Sequence, residues 1–165
     1  MRGLSFSMSK FQDALPPDVE SIFAFYASIP HHNAIGLEAV SANLEMAQMR
    51  IAYDPRFVGN PDTGILHGGL ITTLMDATGG LAVMASVPKG TPVATLDLRL
   101  DYLRGAEPEV SLIGCAHCYK LTRNVAFTRG VAYEEDNPDD PIANFIATYM
   151  IKPVGIKMGV WEAGP

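Results

Sequence analysis

The feature that most constrains this chain is its longest apolar run, residues 64–87, which carries one formal charge, Asp76. Strand-like segments lie on both sides of it. The run reads as a single buried helix with a carboxylate set into it, and the rest as a sheet that wraps it. Leu70, Leu74, Ala77, Leu81 and Met84 recur at helical spacing and form an apolar stripe. Gly79 and Gly80 lie inside it, where each glycine costs about 1 kcal/mol relative to alanine. Close approach of the sheet backbone is the expected compensation. The run is long enough to raise the question of a membrane span. Asp76 at its middle, where lipid penalises charge, and its glycines and threonines argue instead for a soluble domain without membrane contact.

The flanking segments support that choice. At 165 residues the chain suits one domain that needs no disulfide or metal staple. Val19, Ile22, Phe23, Tyr26 and Ala27 predict a short helix that Pro30 ends, followed by His31-His32-Asn33 in a solvated or capping loop. Ala34 to Tyr53 predicts two antiparallel strands, or one bent strand, with a break near Ala47–Gln48. Four more strands are expected at 93–104, 110–122, 125–135 and 142–152. In the first, Leu96, Leu98, Leu100 and Tyr102 alternate with Asp97, Arg99 and Asp101, giving one dry face and one wet one. The expected class is α+β, a curved antiparallel sheet of five to six strands around a long central helix. Residues 1–33 form an arm and short helix, 34–152 the domain, and 153–165 a tail.

Composition narrows the function. A net charge of −6 argues against a nucleic-acid partner, because phosphate affinity comes mainly from clustered Lys and Arg. Cys115 and Cys118 form a CxxC within a predicted strand, about 10 Å apart and on opposite faces, so we expect reduced thiols and no metal. The first residues lack a convincing signal peptide, and a cytoplasmic location is expected.

Chemistry concentrates on the central helix. His67-Gly68-Gly69 stands where a helix leaves its first amides unpaired and carries partial positive charge. A glycine there lets a substrate oxygen approach the N–H, as an oxyanion hole requires. Asp76 must be paired, protonated or functional. It follows His67 by nine positions, half a turn out of phase and about 13 Å along the axis. The two cannot meet at one carbonyl within one helix. If both serve one reaction, the second comes from another copy of the chain.

The pattern Asn60-Pro61, Gly64-Ile-Leu-His67-Gly68-Gly69 and Asp76, followed by Val93-Ala-Thr95-Leu-Asp97 and Tyr102-Leu-Arg104, resembles the hotdog-fold thioesterases, closest to the phenylacetic-acid-degradation (PaaI-like) acyl-CoA thioesterases. The resemblance implies a hydrolase that splits an acyl-CoA into a free acid and CoA with no cofactor. It implies Asp76 as nucleophile or general base, the Gly68 N–H as oxyanion donor, and Asn60 and His67 as orienting groups. Thr95 would assist the carboxylate. Asp76 and Thr95 would come from one subunit and Asn60, His67 and Gly68 from its mate, in a homodimer and a dimer of dimers. Arg123, with Arg104 and Lys120 behind it, would meet the CoA phosphates. Two departures stand out. Asn60 lies one residue farther from His67 than the family pattern places it. Thr95 falls on the polar phase of its strand, so a bulge or twist is needed to turn it toward the helix. A 3-hydroxyacyl thioester dehydratase and a non-catalytic acyl-CoA-binding protein are the alternatives. Met75, Met84, Phe127 and Phe145 are candidates for lining an acyl tunnel.

Overall fold

The computed structural model describes residues 18–151. The expected arm (residues 1–15) and tail lie outside them. Two short helices, α1 (Val19–Ser28) and α2 (Pro30–Ile35), precede a hairpin of β1 (Leu37–Ala42) and β2 (Ala47–Ile51). A 3-10 turn (Pro55–Phe57) leads to a small hairpin of β3 (Val58–Asn60) and β4 (Ile65–Leu66). Then come the long helix α3 (Gly68–Ser86) and the strands β5 (Val93–Tyr102), β6 (Leu112–Leu121), β7 (Val125–Glu134) and β8 (Ala143–Ile151).

Six strands form one antiparallel sheet in the order β1-β2-β6-β7-β8-β5, and α3 packs against all six, inside the sheet's curve. This is the hotdog arrangement. Because the sheet curls around α3, burial extends well past the expected stripe: Ile71, Met75, Thr78 and Val83 are buried, whereas Ala77 and Met84 are only partly so. By length and composition α3 could cross a membrane, yet most of it is buried inside the fold.

Several local expectations change. Residues 31–33 belong to α2, because Pro30 both stops α1 and occupies the first turn of a second helix, where its missing N–H does no harm. His32 is buried and stacks on the Tyr26 ring at 5.3 Å. The expected domain boundary at 33/34 therefore falls inside α2, and Ile22 and Tyr26 of α1 join the core. The break between β1 and β2 lies earlier than Ala47–Gln48. Asn43 Oδ1 accepts from the N–H groups of Glu45 and Met46 and makes the turn there, leaving Leu44 and Met46 exposed. The bulge of this hairpin sits between Ala39 and Ser41.

The interior glycines of α3 make room for side chains, not for sheet backbone. A Cβ on Gly79 would lie 2.2 Å from Tyr149 Oη, and one on Gly80 would lie 3.0 Å from Tyr26 Oη. The glycine that brings helix and sheet together is on the sheet: a Cβ on Gly114 would lie 2.5 Å from Thr78 Oγ1 and 3.0 Å from Leu74 Cγ. Cys115 and Cys118 are free thiols, both pushed up in pKa by burial.

Candidate active site

Asp76 sits at the middle of α3, partly buried, on the side facing the start of β5. Thr95 Oγ1 donates to Asp76 Oδ1 at 2.8 Å. The register explains how Thr95 gets there. Thr95 pairs with Tyr149 and Asp97 with Thr148, so β5 carries a bulge at Leu96 that shifts the phase of everything before it. Thr95 turns toward Asp76 on α3, and Leu96, expected on the dry face, is 51% exposed. Leu98 and Leu100 keep their inward phase against the core.

Two tyrosines fasten the helix backbone at the same place. Tyr149 Oη donates to the Asp76 carbonyl at 2.9 Å, and Tyr26 Oη to the Ala77 carbonyl at 3.2 Å. Gly79 and Gly80, one turn farther on, open the space these hydroxyls occupy. Burial, and after it the Asp76 charge, raises both phenol pKa values above the ordinary range, so both remain donors. Neither tyrosine stood out in the sequence. Tyrosine at core spacing reads as core.

A cleft of about 440 Å³ opens beside Asp76, lined among others by Thr73, Thr95, Ile29, His31, His32 and Met84. The helices α1 and α2 therefore wall the site, which sequence reasoning did not anticipate. Burial lowers the His32 pKa, and its Nδ1 lies 3.3 Å from the Tyr26 carbonyl. The cleft's hydroxyls are already engaged: Thr72 and Thr73 bond to the carbonyls of Gly68 and Gly69, and Thr95 bonds to Asp76. Of the four tunnel candidates only Met84 lines it. Met75 and Phe145 are core, and Phe127 lies on β7 beside Tyr119.

The second group of residues gathers at the start of α3. His67 is the N-cap, and its Nδ1 accepts from the Gly69 N–H at 2.9 Å, which puts the proton of the neutral ring on Nε2. The Leu70 N–H bonds to the His67 carbonyl. The Gly68 N–H has no acceptor among the described residues. Gly59 packs on His67, since a Cβ there would lie 2.8 Å from His67 Cα. Asn60 is the next residue, exposed at the end of β3 beyond a bulge. Its Oδ1 accepts from the Asp62 N–H, and its carbonyl from the Gly64 N–H, so the longer loop is closed around Asn60.

The structure thus brings Asp76 to Thr95, and His67 to Gly68. His67, Gly68 and Asn60 take no part in lining the Asp76 cleft. Arg104 is engaged in the fold. It makes a bidentate pair with Glu134 at 2.7 and 3.1 Å, and its Nε lies 2.9 Å from Asp140 Oδ2. The Arg104 guanidinium, with the Glu107 N–H behind it, holds the Glu134 carboxyl below its usual range despite burial. Arg123 is exposed on the β6–β7 turn, with Lys120 three residues before it at the end of β6. No group of three or more His, Cys, Asp or Glu side chains that could hold a metal occurs among the described residues.

Known proteins are similar to this chain in sequence and in fold. Residues 63–139 match the family described as the Thioesterase superfamily. The medium/long-chain acyl-CoA thioesterase YigI of Escherichia coli (strain K12) is 29% identical over 140 residues, 77% of this chain and 88% of that protein. A Pseudomonas aeruginosa protein of known crystal structure is 40% identical, with a TM-score of 0.72 over 80% of this chain and 97% of its own. A Shewanella oneidensis protein related to the thioesterase superfamily is 26% identical, with a TM-score of 0.70 over 83% of this chain and 99% of its own. Sequence pattern and superposition agree, and the chain belongs to the thioesterase superfamily, hotdog-fold enzymes that hydrolyse thioesters.

Proposed function

We propose that this protein is a PaaI-like acyl-CoA thioesterase whose active site forms across a homodimer. The observation that carries the reading is the Asp76–Thr95 pair opening on a cleft, on the same helix as a Gly68 amide that has no acceptor among the described residues and does not line that cleft. The activity of YigI on medium and long-chain acyl-CoAs supports the choice of substrate. The dimer is supported by the edge of the sheet. β5 is the last strand and has ten residues, and its outer edge has no partner among the described residues. Leu96 within it and Leu103 just past its end are exposed. A free edge of this length is a template for pairing with a second copy. Pairing there would bring the Asp76 of one subunit toward the Gly68 of the other.

Thr95 holds Asp76 by one oxygen and leaves the other to accept from water or to attack. Water adds across the thioester: a C–O bond forms at the acyl carbon, the C–S bond breaks, and CoA leaves as thiolate and takes up a proton. The charge that develops on the acyl oxygen meets the partner's Gly68 N–H at a helix start, where one such donor is worth about 3 kcal/mol. His67 offers Nε2–H to the same region, and Asn60 flanks it. Arg123, with Lys120 beside it, is proposed for the CoA phosphates. Arg104 is left out because Glu134 and Asp140 occupy its guanidinium.

The test is thiol release from short, medium, long and aromatic acyl-CoAs. Asp76→Asn should lower kcat by about a thousandfold without dissociating the dimer. Unchanged turnover would sink the assignment, and an enoyl product would replace it with a dehydratase. Single turnover in ¹⁸O-water separates the roles of Asp76. Label in the carboxyl side chain means nucleophile, and label only in the product means general base.

A further inference from the structure

The oxyanion half-site contains a residue to which no role has yet been given. Tyr102, at the end of β5, is 51% exposed, and its ring lies over the start of α3. Its Oη donates to the Gly68 carbonyl at 2.8 Å. Thr72 Oγ1 lies 2.8 Å from Tyr102 Oη and 3.2 Å from the same carbonyl. With the tyrosine proton directed at Gly68, the single threonine proton is shared between Tyr102 Oη and the same carbonyl, one acceptor at a time. A Cβ on Gly68 would lie 3.2 Å from Tyr102 Oη, so this position is tight as well as bonded.

The peptide between Gly68 and Gly69 is therefore held at both ends. Its oxygen accepts from Tyr102, with Thr72 Oγ1 against both, and its N–H donates to His67 Nδ1. A Gly-Gly pair is the most mobile place a helix can begin, and here side chains remove that freedom. Leu70 N–H is also satisfied. Among the first three amides of α3, only that of Gly68 remains open. We infer that Tyr102 is a positioning residue of this half-site: with Thr72 and His67 it clamps the Gly68–Gly69 peptide, so that the helix start presents Gly68 N–H as one fixed donor. The inference rests on the thioesterase reading for its catalytic meaning, while the clamp itself is a property of the folded chain. Donors that converge on the Gly68 carbonyl also polarise its peptide and strengthen the Gly69 N–H bond to His67. Arg104, two residues after Tyr102, ties this end of β5 to Glu134 and Asp140 and fixes where the ring is delivered.

The experiment begins with thiol release by the wild-type protein and its loss in Asp76→Asn, which establishes the reading. Tyr102→Phe should then lower kcat roughly tenfold, with KM within about twofold and an unchanged melting temperature, because misplacement of a preorganised group acts on the transition state. Thr72→Val should have a smaller effect of the same kind. Gly68→Ala should do less harm in the Tyr102→Phe background than in wild type, because the hydroxyl it crowds is gone. A second readout does not need turnover: the Gly68 and Gly69 amide resonances should shift or broaden in Tyr102→Phe. Wild-type kcat in Tyr102→Phe, unperturbed glycine amides, or losses in kcat and melting temperature that simply multiply with those of Gly68→Ala would overturn the inference. If no acyl thioester is hydrolysed by the wild type, the thioesterase reading fails, and the amide resonances still decide whether the clamp exists.

Discussion

The start and the middle of α3 are built on opposite plans. The start is two glycines with no side chains of their own, so everything that fixes it is brought from elsewhere: His67 as cap, Thr72 from the next turn, and Tyr102 from β5. The middle is fixed from within the fold. Asp76 is gripped by Thr95 at its side chain and by buried Tyr149 at its carbonyl, with Tyr26 on the next residue. In the middle, glycines admit tyrosines; at the start, a tyrosine restrains glycines. A donor that must accept a transient charge needs open approach, so its supports stand beside it. A carboxylate that must be aimed can be held from behind by groups that never touch substrate. Changes at the start should therefore alter rate with little loss of stability, and changes to the buried groups behind the middle should alter both.

The largest test of this contrast lies at the anchor of the start. Arg104→Ala strands the buried Glu134, and breaking such a pair costs about 3 kcal/mol, read as a large drop in melting temperature. The pH sign follows from Glu134, whose folded pKa is lowered first by Arg104 below the ordinary 4.5. Its stabilisation is complete above the unfolded value and disappears as pH falls through the lower folded one. Wild-type melting temperature should therefore fall more steeply than that of Arg104→Ala as pH drops below 4.5. Full stability of Arg104→Ala at neutral pH would show that β5 is anchored by other means.

Gly79→Ala comes next. Alanine is the better helix former by about 1 kcal/mol. Its Cβ would nevertheless meet buried Tyr149 Oη at 2.2 Å, and we expect a net loss of about 2 kcal/mol in denaturant unfolding, together with reduced kcat. A stabilised protein would mean that the tyrosine moves freely and does not hold Asp76. Thr95→Val should reduce kcat about fivefold to tenfold, equivalent to about 1 kcal/mol, with stability nearly unchanged. An unaltered rate would remove Thr95 from the site. Tyr149→Phe is the smallest effect. It deletes one hydrogen bond to a carbonyl that also belongs to the helix ladder, so a loss of about 1 kcal/mol or less and a kcat lowered about twofold to threefold are expected. A larger loss in rate than in stability would move Tyr149 closer to the chemistry than its position behind the helix suggests.

The sequence by itself determined the fold class, because one long apolar run between alternating segments has few solutions other than a helix wrapped by a sheet. It also marked His67, Gly68 and Asp76, since an acid inside an apolar helix and glycines at its start are chemically conspicuous in one dimension. The nine-residue offset between His67 and Asp76 keeps the two from meeting at one carbonyl within one helix, because helical geometry is local. What only the tertiary structure decided is which side chains meet from far along the chain. The bulge at Leu96 reversed the phase of Thr95, and a bulge is a property of strand pairing with β8, not of β5 alone. Arg104 reads as a free cation until Glu134, thirty residues later, is seen beside it. Tyr26, Tyr102 and Tyr149 read as core or surface until their hydroxyls are placed on the carbonyls of α3. Periodicity records which face a residue takes within its own element. It holds no record of the partner on another element, and at the start of α3 those partners are what turn two mobile glycines into one fixed donor.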